Sequence, residues 1–227
     1  HASIAARGFL DGLSRERVRA ELLKLLAARR ARDVVEAMTH AGILGPVLGG
    51  APNPDRLARL KSIEAYYNLT PDSVLRLAAL AVQTREDAER LRARLRLSNA
   101  EQSRLANAAN ALAPLHCCDE PPDAAPLSRL LYIHGRQPLL DALALAHAES
   151  RAAIEDSRWR AGFAFVRDHV ELKMPFAGAD LIAKGFARGP AIGAALAQLE
   201  AAWMEADFTS DAAALETMLE RVTKRAR

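Results

Sequence analysis

Apolar residues recur at three- and four-residue spacing through nearly every segment between chain breakers, and strand-like alternation is missing, so the pattern predicts an all-α protein. Val18, Leu22, Leu25 and Leu26 form one stripe behind Ser14, a suitable N-cap, which predicts a helix over 15–28. A second stripe, with Val34, Val35, Met38 and His40, predicts a helix over 31–41 that stops at Gly42. Further helices are predicted over 55–67 and 71–82, the latter with Thr70 as cap and Pro71 at the first helical position. Thr84 with Asp87 and Ser98 with Glu101 have capping-box spacing and open helices over 85–96 and 99–113.

Two breaks interrupt this pattern. The run GPVLGGAPNPD, 45–55, reads as a loop and a subdomain boundary, and the acidic, proline-rich DEPPDAAP, 119–126, reads as a second. Beyond it, helices are predicted over 126–134, 138–154, 157–172, 178–184, 190–206 and 211–225. Their lengths and patterns differ too much for a fixed repeat. The expectation is a multi-helix bundle of about ten helices, compact or elongated, divided at 1–48, 49–120 and 121–227.

Half of the residues are apolar and 26% are charged, a globular composition, and no apolar run reaches the roughly 18 residues of a membrane span. The opening HASIAARGFLDGLSRER lacks the basic, apolar and small-residue regions of an export signal, which sets the expectation of a cytoplasmic protein without a membrane partner. Cys117 and Cys118 are neighbours, so free thiols are expected, and the scattered histidines give no metal-site spacing. Net charge is only +3, but 26 of the 31 basic residues are arginine. Arginine suits bidentate phosphate contact, although codon bias produces the same excess.

Catalytic signatures are missing. A two-metal nucleotidyl-transfer site needs clustered carboxylates, and the chain has no Asp-x-Asp, no Walker glycine loop, no GxSxG and no HExxH. Asp168-His169 reverses the order of a phosphohydrolase His-Asp dyad and lacks companion ligands. His40, His116, His134 and His147 stand without a recognisable nucleophile and read as core or surface residues.

The segment LSRERVRAELLKLL, 13–26, resembles the last conserved motif of bacterial tRNA nucleotidyltransferases, the family of CCA-adding enzymes and poly(A) polymerases: a Glu-Arg pair, then Glu four residues after the Arg. Here those residues are Glu16, Arg17 and Glu21, with Arg17 and Glu21 one helical turn apart on one face. VVEAMTHAGILGPVL, 34–48, is similar to the family's next helix. GADLIAKGFARGPAIGAALAQLEAAWMEADF, 178–208, resembles its Gly-x-Asp-Leu and Gly-Pro tail segment.

The resemblance implies the neck, body and tail of such an enzyme, with its catalytic head absent. The division above then reads as a neck-like segment 1–48, a body 49–120 and a tail 121–227. Glu16, Arg17 and Glu21 would brace the helix that reads the incoming nucleotide, and tRNA and the head domain of the same polypeptide would be the partners. Mg2+ and ATP or CTP belong to the full-length enzyme, and no cofactor is expected on this chain. Arg158, Arg160, Arg167, Lys184 and Arg188 are the candidates for tRNA backbone contact, the last two just before the helix that Pro190 opens. A stand-alone helical interaction or regulatory module without an RNA role is the alternative, because fold does not fix function. A helical phosphohydrolase is a weaker third reading, since its metal ligands are missing.

Overall fold

A computed structural model describes residues 14–225, and among them it contains thirteen α-helices, one 3-10 turn at Ala113–Leu115 and no strand. The described residues divide into two compact units that meet in sequence at Asp168 and His169. The first holds α1 (Arg15–Ala27), α2 (Ala31–His40), α3 (Leu44–Leu48), α4 (Pro54–Tyr66), α5 (Ser73–Ala81), α6 (Arg85–Leu95), α7 (Asn99–Leu112), α8 (Ala124–His134), α9 (Arg136–Glu149) and α10 (Ser157–Asp168). The second holds α11 (Gly178–Ala183), α12 (Pro190–Glu205) and α13 (Ala212–Arg225). Both proline-rich breaks therefore lie inside the first unit, and the contact division does not coincide with the expected boundaries after residues 48 and 120. No described helix is long and apolar enough to cross a membrane.

Local chemistry fixes most helix starts. The Arg17 N–H donates to Ser14 Oγ at 3.3 Å, and Ser98 and Glu101 exchange both bonds of a capping box, at 3.3 and 2.7 Å. Asp87 accepts from the Thr84 N–H at 3.0 Å. The start of α5 differs from expectation. Asp72, not Thr70, is the cap, accepting from the N–H groups of Val74 and Leu75 at 2.9 Å each, so Pro71 precedes the helix. The segment expected as a loop after Gly45 also contributes a turn of helix, because Leu44, Val47 and Leu48 can be buried together only from one helical face.

The helix α9 is the axis of the first unit. Its residues from Asp141 to Ala148 are all buried, and α4, α5, α7, α8 and α10 surround it. Apart from Asp141 and His147 this stretch is apolar on every side, as a core helix must be. The second unit has a smaller core of Leu181, Ala195, Leu199 and Leu219, flanked by Phe176, Ile192 and Met218.

Against α9 lies an aromatic cluster. The ring of fully buried His147 stacks on Trp159 at 4.8 Å and 2°, and Tyr67 lies 4.6 Å from Phe163. Burial pushes the Tyr67 hydroxyl up to about 12. His147 Nε2 donates to the Ala153 carbonyl at 2.9 Å, whereas its buried Nδ1 has no partner, an arrangement that fits neutral imidazole. Burial holds its pKa below the ordinary 6.5. The folded state therefore favours the uncharged ring: its stabilisation is complete above 6.5 and is lost as pH falls through that value toward the depressed one. Urea midpoints are expected to fall between about pH 7.5 and about pH 5.5, and His147→Phe should flatten that dependence. An unchanged pH slope in the variant would exclude His147 as its source.

Candidate nucleic-acid interface

On α1, adjacent residues take different roles because each step along a helix turns the side chain by roughly 100°. Glu16 turns toward α6, where it meets Arg96 at 3.2 Å. The Glu16 carboxyl is held below its ordinary value by its own backbone N–H and by Ser14 Oγ. Arg17 and Glu21 instead lie on the rim of a groove of about 620 Å³ formed by α1, α2 and α3, whose wall includes Val18, Leu22, Met38 and Ile43. Both are exposed, and no ion pair joins them, although they are one turn apart. The groove thus presents an apolar floor with exposed charges at its edge.

Five tail cations were expected to meet RNA. Arg158, Arg160 and Arg167 lie on α10 in the first unit, and Lys184 and Arg188 belong to the second. Carboxylates neutralise several of them. Arg158 pairs with Glu120 and, at 3.3 Å, with Asp156, while Arg167 pairs with Asp168 at 2.8 Å and Lys184 with Glu216. Arg160 and Arg188 are exposed and form no ion pair with a described residue. Pro190 opens α12 as the spacing predicts, and Gly189 before it holds φ +151°, a conformation that favours glycine.

Many of the other arginines have a role that composition did not reveal: they terminate helices. The last carbonyls of a helix have no partner within it. Arg56 donates to the carbonyls of Ala78 and Ala79 at 2.6 Å and to that of Val82 at the end of α5, and it also pairs with Glu149. Arg59 reaches the carbonyls of His147 and Ala148 at the end of α9, at 3.3 and 3.2 Å. Arg76 reaches Leu26 at the end of α1 at 2.7 Å, and Arg136 reaches Val166 at the end of α10 at 2.8 Å. Arg19 takes the Arg96 carbonyl after α6 at 2.7 Å. Glycine C-caps are missing from these ends, and that absence beside an arginine surplus is the sequence signal that would have pointed here.

Among the described residues, no group of three or more His, Cys, Asp or Glu side chains converges as a metal site. Arg104 joins Asp72 at 2.6 Å to Asp141 at 3.0 Å, so the carboxylates beside the cavity of Leu69, Leu75 and Phe163 are already engaged.

No curated protein matches the chain. Residues 2–54, which include α1, α2 and α3, match the family model described as "Probable RNA and SrmB-binding site of polymerase A". The match supports an RNA-binding role in a polymerase A-like protein and a link to the poly(A) polymerase-related family.

Proposed function

We propose that this chain is the RNA-binding, helix-rich carboxy-terminal region of a tRNA nucleotidyltransferase, an enzyme that adds CMP or AMP to tRNA 3′ ends without a template. The observation that carries this reading is the match of residues 2–54 to an RNA-binding segment of polymerase A, on the helices that hold Arg17 and Glu21 at the groove rim. In this reading Arg17 and Glu21 brace the nucleotide-reading helix of the head, and Glu16 locks α1 to α6 through Arg96. In this reading Mg2+ and ATP or CTP belong to the head of the parent enzyme, and this chain supplies docking.

An enzyme that accepts every tRNA must recognise shared RNA shape, which backbone contacts achieve. The purified chain is expected to bind several different tRNAs with similar, weak affinity that falls steeply as salt rises, because each neutralised phosphate releases counterions. Fluorescence anisotropy across a salt series measures this. Absence of binding at low salt, or binding indifferent to salt, would instead favour a helical protein-interaction module without an RNA role. The apolar groove suits that second reading, and the description of the matching family also names a protein, SrmB, beside RNA.

A further inference from the structure

The end of α3 is paved with glycine where α6 crosses it. Gly49 closes α3 at φ +72°, and a Cβ added there would stand 2.8 Å from Arg94 Nε and 3.1 Å from its Cγ. On Gly50 it would stand 3.0 Å from Arg90 Cζ. The Arg94 side chain therefore lies against Gly49, and the Arg90 guanidinium lies against Gly50. Any larger residue at Gly49 or Gly50 would have to displace them.

The two arginines differ in what satisfies them. Arg90 is held by Asp87 and by the carbonyls of Leu48 and Ala81, at 3.4 and 3.3 Å. Arg94, one turn later, is exposed and forms no ion pair or hydrogen bond with a described residue. Asp87 balances one guanidinium of the pair, which leaves one positive charge uncompensated at this corner. Contact with Gly49 restricts the Arg94 stem before any ligand arrives, so less rotamer entropy is lost on binding. A planar, pre-positioned guanidinium without a carboxylate fits two oxygens of a phosphodiester.

We infer that Arg94, seated on Gly49, anchors an RNA backbone phosphate and extends the RNA-contacting surface from the matched segment onto α6. This rests on the RNA-binding reading above, because the glycine pair belongs to residues 2–54 while α6 lies beyond them. Phosphate contact positions RNA without reading bases. The anchor should therefore act alike on RNAs of different sequence.

The test uses the whole chain, a fluorescein-labelled RNA hairpin and a second hairpin of unrelated sequence. Arg94→Ala is expected to weaken both complexes by about 3- to 10-fold and to lower the slope of log affinity against log salt by about 1. Arg94→Gln, which keeps most of the stem over Gly49, should behave similarly. Arg85→Ala is the control: it removes the same charge from the same helix, but Arg85 is paired with Glu89 at 3.3 Å, so affinity and slope should hold. Circular dichroism melting checks that each variant is folded. If wild-type protein binds and Arg94→Ala keeps its affinity and slope, or if Arg85→Ala loses as much, the anchor is wrong and the RNA reading stands. If wild-type protein binds neither hairpin at low salt, both fall.

Discussion

Replacing Glu64 with alanine is expected to destabilise the first unit by about 3–5 kcal/mol, the cost of leaving a buried partner charge uncompensated. Glu64 and Arg76 are 3% and 5% exposed, and two guanidinium nitrogens meet the carboxylate at 3.0 and 2.7 Å. Arg76 also donates to the Leu26 carbonyl, so its displacement would free the last turn of α1. A loss of this size is a large fraction of the about 5–15 kcal/mol that holds an ordinary domain together. The chain has two tryptophans, Trp159 in the first unit and Trp203 in the second. In a Trp203→Phe background, fluorescence-monitored urea unfolding therefore reports on the first unit alone. Glu64→Gln, which keeps the shape and loses the charge, should fall between the two. A shift below about 1 kcal/mol for Glu64→Ala would show a pair as weakly coupled as a surface one.

Trp159→Ala should cost a similar amount, about 3–5 kcal/mol, but for a different reason. The indole is fully buried, stacks on His147 and donates Nε1–H to the Asp119 carbonyl at 3.1 Å. Truncation removes apolar contact, opens a void beside α9 and leaves that carbonyl unsatisfied, so loss of packing and loss of a hydrogen bond add. Trp159→Phe separates them: it refills most of the void without the donor, and about 1–2 kcal/mol should remain. Calorimetry of the three proteins measures the difference. If the phenylalanine variant were as unstable as the alanine variant, the hydrogen bond and not the packing would dominate.

The starts of helices were largely legible because their causes are local. Ser14 and Ser98 act through side chains within three residues of the N–H they accept from. The error at Thr70 and Pro71 arose where Thr70 and Asp72 are both suitable caps, and the Asp72 carboxylate accepts two N–H groups at once. Most helix ends lie within a residue of expectation, and the exceptions are the helices expected over 138–154 and 157–172, which stop at Glu149 and Asp168. The expected helix over 138–154 stops at Glu149 because Arg59 gathers the carbonyls of His147, Ala148 and Ala152 from a distant helix. The candidate site shows the same limit. Spacing placed Arg17 and Glu21 on one face, as found, but that Lys184 would be tied to Glu216 depends on how α13 packs. The Asp168 that pairs with Arg167 is adjacent in sequence and was readable.

Because arginines from other helices close the ends of α1, α5, α9 and α10, the length of each helix is a property of the assembled unit. A peptide spanning only residues 70–84 lacks the guanidinium that takes the carbonyls of Ala78, Ala79 and Val82: it has neither a glycine nor a proline at Ala81, and Arg56 is elsewhere in the chain. Evolution of such a protein is coupled in a particular way. A drift in the register of α4 would leave the carbonyls at the end of α5 bare, and lysine in place of Arg56 could not span those carbonyls and Glu149 together, since its single ammonium lacks the planar fork.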